Sequence, residues 1–571
     1  HPQQTPPARL RPRNQTPQDP AMALNLTEFR YLIVDDLREV RMSVRAMLEA
    51  LRVTQIAEAK NVEEALAALK AQSFDVVLCD YNLNDTRDGQ QLFEEARGRG
   101  LLPAHAAWLM ITAEQTMGMV MGVVENNPDG YLVKPINKAV LQTRLERTVA
   151  RKLITRDVET ALRKGRLEEA VGLADAQIAR VPQLQGELLR LKSEGLLRLG
   201  SFEAVTELCH AWLNERQDAG ASAVETAWAQ VALGRAQFEL GDLHQSRQTF
   251  QNLIERAPTV MEAYDWLARV ERESGDGKAA QRVLAQGLGV SPQRARRHQA
   301  LGDVAIENGD LATAEKAFEK VLQLGEDSCH ARPEDAVGLL TAVRASKGVD
   351  AALKSLAEIN KRASRRRGAR ETHWQMHATE ASLLVEAGRS GEALDAANRA
   401  LEGFRSDYGQ RDNAATLRLA KACFAAGLAA EANGLVDRVV RENHDHPGVL
   451  ESVRGLFDEL GMSADGAALI EQAQAAVIRI NNEGVMLAKA GRFQEAVASL
   501  RKAAEELPNS LTVQLNVLQA LALQMQAEGA SNQLRYLARE HLAQAERIAP
   551  RAEKLLKTKE RLQALLRTDA G

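Results

Sequence analysis

Tyr31-Leu32-Ile33-Val34-Asp35-Asp36 is an apolar run of four that ends in two carboxylates. The pattern recurs three times within the next hundred positions. Val76-Val77-Leu78-Cys79 ends in Asp80, Trp108-Leu109-Met110-Ile111 ends in Thr112, and Gly130-Tyr131-Leu132-Val133 ends in Lys134-Pro135. Short apolar runs separated by helical stretches predict a parallel sheet with crossover helices. In such sheets chemistry gathers just beyond the carboxyl ends of the strands. Three carboxylates, a hydroxyl and an ammonium are thereby predicted to meet at one site.

Crowded carboxylates repel, and a divalent cation relieves the conflict. A hard, oxygen-preferring ion such as Mg2+ suits a set with few carboxylates. A carboxylate in such a site can attack a phosphoryl group and carry it as an acyl phosphate. Lys134 would neutralise phosphoryl oxygens, and the Thr112 hydroxyl would donate to them. Asp80 closes the central apolar run and is the candidate nucleophile.

Residues 29–150 resemble the receiver domain of bacterial two-component response regulators. The resemblance rests on Leu32-Ile33-Val34-Asp35-Asp36, Val77-Leu78-Cys79-Asp80, Ile111-Thr112-Ala113-Glu114 and Tyr131-Leu132-Val133-Lys134-Pro135. It implies a doubly wound α/β (flavodoxin-like) fold of five strands, with Asp80 as phosphoacceptor. It implies Asp35, Asp36, Asp80 and the Asn82 backbone carbonyl as Mg2+ ligands. Thr112 and Tyr131 fall on the family's switch positions, Lys134 on its lysine, and Lys134-Pro135 on a bond that is often cis. Asn82 and Glu114 fall where relatives tune phosphoryl lifetime, and small Ala113 leaves access to the phosphoryl group. The implied donor is a histidine kinase or phosphotransfer protein. The loop after Asp80 departs from the family's common form, being one residue longer and without its proline, but it keeps the Asp88-Gly89 turn. A folded receiver that is not phosphorylated is the alternative. Cys79 reads as a core residue, and Met117, Met119 and Met121 as helix packing.

At 571 residues the chain exceeds a single domain. Its 45% hydrophobic content supports a core, and its 4% aromatic content favours helix for the bulk. A net charge of −4 gives no global attraction to nucleic acid or anionic membrane. The four cysteines lack metal-type spacing and read as reduced thiols. No apolar run spans a membrane, so the expectation is a cytoplasmic protein. Residues 1–24 form a proline-rich extension expected to be disordered, with Met22 a candidate natural start.

Beyond residue 150 the sequence repeats. Gly241, Gly275 and Gly309 each open a Gly-Asp dipeptide and are spaced by 34 residues. Ser246, Ala280 and Ala314 follow at plus five, and Phe250, Leu284 and Phe318 at plus nine. Leu233-Gly234, Leu267-Ala268 and Leu301-Gly302 keep the same period upstream. The pattern resembles the tetratricopeptide repeat, a helix–turn–helix unit that stacks into a solenoid. Small residues let paired helices approach, and the Gly-Asp turn ends the first helix while proline stops the second. A late unit carries Gly484, Gly491, Ala496, Leu500 and Pro508; units near 186–220, 335–368 and 448–476 match loosely. Roughly ten to eleven repeats would fill 151–550 within an all-α domain reaching 571.

Such an array binds other proteins on its concave face, and no catalytic constellation is visible in it, so the chain does not read as an ordinary enzyme. His373 and His377 lack partners for metal binding and read as surface residues. The basic run from Lys361 to Arg370, and a cluster at Arg294, Arg296 and Arg297, read as solvated loops or as a surface for an acidic peptide or a phosphate backbone. Nucleic acid is disfavoured because no DNA-binding motif accompanies them. The junction from Leu141 to Glu159 contains no Pro or Gly, and Val140, Leu141, Leu145, Val149, Leu153 and Ile154 predict a continuous amphipathic helix. The expectation is a response regulator whose output is protein binding, with a homodimer as a further candidate assembly. Two alternatives stand beside it: a constitutive scaffold with a vestigial receiver, and a transcription regulator with cryptic DNA binding.

Overall fold

The computed structural model describes residues 25–83, 87–112, 128–218, 220–325, 330–364, 373–407, 412–444, 446–508, 510–549 and 552–566. The N-terminal extension, Ala113, Glu114, the three methionines of 117–121 and Arg365 to Arg370 lie outside them. The chain divides into two compact units, the first running to Arg297 and the second starting at His298.

The first unit opens with five strands: β1 (Tyr31–Val34), β2 (Ile56–Ala59), β3 (Val76–Asp80), β4 (Ala107–Thr112) and β5 (Gly130–Val133). They form one parallel sheet in the order β2-β1-β3-β4-β5. Helices α1 (Arg38–Glu49), α2 (Val62–Ala71) and α3 (Gly89–Gly98) connect them. Alternate strand residues feed two cores because strand side chains point to opposite faces. Leu32, Val34, Val77, Cys79 and Trp108 pack with α2 and α3 on one face. Tyr31, Ile33, Val76, Leu78 and Leu109 pack on the other. Burial on both faces explains why these strands read as unbroken apolar runs rather than alternating ones.

The second face is closed by α4 (Lys138–Arg163), a helix of 26 residues. Asn137 caps it by accepting from the Val140 amide. Leu141, Leu145 and Val149 enter the sheet's core, while Val158, Ala161 and Leu162 enter a separate cluster with Ala170, Ala174 and Leu188. One helix is thus the last of the α/β fold and the first of the repeats. Val140, included in the predicted apolar stripe, is 48% exposed, because it lies in the first turn beyond the edge of the sheet's core.

The repeats follow as antiparallel helix pairs. Gly241, Gly275 and Gly309 have φ of 82°, 81° and 73°, the left-handed conformation that ends a helix and favours glycine. The aspartate after each does separate work: Asp242, Asp276 and Asp310 accept from the amides three residues on and cap the next helix. The small residues at the helix crossings are filled by their neighbours. A Cβ on Gly234 would stand 2.5 Å from the Phe250 ring, and the Ser246 hydroxyl donates to the Gly234 carbonyl at 2.8 Å.

In the second unit Phe318 is held between two glycines, 2.7 Å from a Cβ placed on Gly302 and 2.5 Å from one on Gly338. The loosely matching units are helix pairs as well, turning at Gly200, Gly348 and Gly461, all with positive φ. Ser463–Lys489, which runs from the loosely matching unit near 448–476 into the late unit, is one helix of 27 residues. Nothing between Ala467 and Glu483 is Pro or Gly, so no residue stops it there.

Of the arginine cluster, Arg296 is exposed as expected, whereas Arg294 and Arg297 depart from a surface role. Arg297 is 1% exposed and grips Asp265 with two hydrogen bonds of 2.8 Å, and Arg294 pairs with Glu94. The charge-neutralising partner in each case is distant in sequence, so burial was not legible locally. His377 is half-buried against Glu380 at 3.2 Å. No helix among the described residues is long and apolar enough to cross a membrane.

Candidate functional site

The site forms where β1, β3, β4 and β5 end. Parallel register sets Asp80 opposite Ile111 and Thr112 opposite Val133, so the four chain ends lie side by side. The Tyr81 amide donates to the Ile111 carbonyl at 2.8 Å, and the Lys134 amide to the Thr112 carbonyl at 2.7 Å, which carries the ladder up to the site. The Lys134-Pro135 bond is cis.

Asp35, Asp36 and Asp80 each place a carboxylate oxygen within 4.8 Å of the others. Lys134 Nζ lies 3.0 Å from Asp35 Oδ2 and 3.2 Å from Asp80 Oδ1. The second Asp35 oxygen accepts from the Leu37 amide at 2.9 Å. Arg41 donates to the carbonyls of Asp35 (2.7 Å) and Asp36 (3.2 Å), fixing the turn that carries both acids. Asp35 and Asp80 are buried, and Thr112 is 3% exposed at the end of β4.

Burial pushes the Asp80 carboxyl up to about 6; Lys134 opposes this, while the charges of Asp35 and Asp36 add to it. Burial pulls Lys134 down, but its hydrogen bond to Asp35 and the two nearby carboxylates hold it above its ordinary value. The carboxylates outnumber the one ammonium among them, and all offer hard oxygen donors. That donor set fits a divalent cation such as Mg2+. Among the described residues it is the one group of this kind.

Tyr131 lies on β5 with its hydroxyl buried and without a hydrogen-bond partner among the described residues, and burial raises its pKa. Asn82 is exposed on the loop after β3. The far end of that loop is fixed by Asp88, whose carboxylate accepts from the Gln91 amide at 2.7 Å while Gln91 accepts from the Asp88 amide at 3.0 Å. This capping box was readable as Asp-x-x-Gln. Gly89 follows, with its amide donating to the Tyr81 carbonyl at 2.8 Å. Arg41 carried no sequence signal, since its role is to bind two backbone carbonyls.

The family model for the response regulator receiver domain matches residues 31–146. Chemotaxis protein CheY of Pseudomonas aeruginosa is 31% identical over 122 residues, covering 21% of this chain and 97% of that protein. CheY-3 of Vibrio cholerae serotype O1 is 33% identical over 122 residues, covering 21% and 92%. The chain belongs to the response regulator receiver family. Behind its receiver it carries tetratricopeptide repeats, matched at 228–259, 266–328 and 379–447. Similar solved structures include the C-terminal part of a TPR repeat-containing protein from Cytophaga hutchinsonii, at 12% identity and a TM-score of 0.33 over 44% of this chain and 96% of that one. Another is a tetratricopeptide repeat protein from Parabacteroides merdae, at 12% identity and a TM-score of 0.30 over 47% and 96%. Receiver plus repeats is a regulatory architecture, joining a receiver to a protein-interaction domain.

Proposed function

We propose that this response regulator accepts a phosphoryl group on Asp80 from a histidine kinase or phosphotransfer protein, and that the change alters which proteins its repeats bind. The observation that carries the proposal is Lys134 bridging Asp35 and Asp80 inside the three-carboxylate cluster. An Asp80 oxygen forms the new O–P bond as the donor's P–N bond breaks, and the leaving imidazole takes up a proton. Asp35, Asp36 and Asp80, with the Asn82 carbonyl, would hold Mg2+. That ion supplies charge neutralisation for the phosphoryl oxygens. Lys134 binds one phosphoryl oxygen and loses its contact with the free Asp80 carboxylate. The Thr112 hydroxyl donates to another, and Tyr131 turns with it. The repeats then act as the output, by binding protein rather than nucleic acid.

The test is radiolabelling of full-length protein with a phosphorylated small-molecule donor, with Mg2+ and with EDTA. Label that depends on Mg2+ and disappears in Asp80→Asn supports the assignment. Label that persists in that variant refutes it.

A further inference from the structure

Arg41 binds three successive carbonyls at the turn that carries Asp35 and Asp36. Its amide donates to the Leu37 carbonyl at 3.2 Å, while one guanidinium nitrogen donates to the carbonyls of Asp35 at 2.7 Å and Asp36 at 3.2 Å. In an extended strand neighbouring carbonyls point to opposite sides, so their convergence marks a sharp bend directly after β1. At that bend the two acids come within 4.8 Å of an Asp80 oxygen.

The guanidinium is itself held. Glu58, paired with Ile33 across β1 and β2, accepts from Arg41 Nε at 3.2 Å and also from Arg45 Nε. Arg45, one turn along α1, pairs in addition with Glu49 at 3.6 Å. Two cations and two carboxylates balance, so the group adds little net charge beside the acids. The Arg41 side chain is only 13% exposed. A planar guanidinium can bind Glu58 with one edge and the carbonyls with another, which an ammonium cannot do in one fixed geometry.

We infer that Arg41, clamped by Glu58, is a positioning residue for the divalent cation: it sets the affinity of the site for Mg2+ by fixing the bend, without touching the ion or the phosphoryl group. The inference rests on the Mg2+-assisted role of Asp80 proposed above. Groups that orient a metal's ligands change its affinity by roughly 10- to 100-fold when they are removed. Charge and geometry predict opposite signs here. Removing a cation near the site would tighten Mg2+ binding through charge alone, whereas losing the bend weakens it.

Urea unfolding of the receiver transition in the full chain, titrated with Mg2+ alone, tests this. The stability that Mg2+ adds reports its dissociation constant, whatever the baseline stability of each variant. Arg41→Ala should raise that constant by about tenfold, and Arg41→Lys, which keeps the charge, should raise it as well. Labelling of Asp80 at saturating Mg2+ should stay near the wild-type rate. If Arg41→Ala does not fold, Glu58→Gln, which leaves all three carbonyl bonds possible but loosens the clamp, should raise the constant by about threefold. Unchanged or tighter Mg2+ binding in these variants, in protein whose wild type responds to Mg2+, overturns the inference and leaves the metal site standing. A slower labelling rate at saturating Mg2+ also overturns it, because Arg41 would then act on the phosphoryl step. A wild type that gains no stability from Mg2+ removes the metal site and the inference together.

Discussion

A methyl group on Gly89 would stand 2.0 Å from the carbonyl oxygen of Asp80 and 3.0 Å from the sulfur of Cys79. No rotamer change relieves a backbone contact of that kind. Gly89→Ala should destabilise the receiver by about 3 kcal/mol or more. Amide exchange in β3 and β4 should speed accordingly; unchanged protection there would mean that the loop relaxes freely.

Asp80 makes the receiver's stability fall as pH rises. Its carboxyl titrates near 6 in the fold against an ordinary 3.8, so between these values the folded state holds more protons than the unfolded one. Stability is then lost as pH rises through about 6 and regained toward 4. In EDTA, Asp80→Asn should therefore be more stable than wild type at pH 7 by on the order of 1–3 kcal/mol, with the gap closing toward pH 4. Urea unfolding of the receiver transition measures it. A gap independent of pH would count against this account.

Phe318 and its two glycines form a close fit that a double-mutant cycle can read. Gly302→Ala should cost about 1–3 kcal/mol through overpacking against the ring. In a Phe318→Leu background the same change should cost clearly less, because the ring contact is gone. Additive losses would show that the two positions are not in contact.

The shared helix α4 is predicted to carry the signal between receiver and repeats. Arg156 and Asp157 are exposed on it, between the residues that enter the two cores. Replacing both with glycine should cost about 1 kcal/mol of helix stability. Labelling of Asp80 should continue, while any change that beryllofluoride causes in hydrogen exchange of residues 167–260 should vanish. An undiminished response would place the coupling elsewhere.

The strands and their terminal residues were legible because burial on both faces leaves plain apolar runs, each closed by a polar residue at the site. The repeats were legible because Gly241, Gly275 and Gly309 must adopt a conformation that few other residues tolerate. Their aspartates were read as part of a turn, whereas the structure makes them caps for the following helix. Gly200, Gly348 and Gly461 do the same turning work but are followed by Ser201, Val349 and Met462 instead of aspartate, and so the units around them matched poorly. Pairings such as Arg297–Asp265 and Arg294–Glu94 depend on how helices stack, and no local pattern encodes them. The switch-loop residues Ala113 and Glu114 remain expectations of the family resemblance.

Because α4 belongs to two cores at once, the receiver and the repeats are not interchangeable parts. Adding one residue between Leu153 and Val158 would turn everything beyond it by about 100° and advance it by about 1.5 Å. A graft of this receiver onto another array would have to preserve helical phase as well as sequence. Insertions of seven residues, close to two full turns, should be tolerated far better than insertions of two.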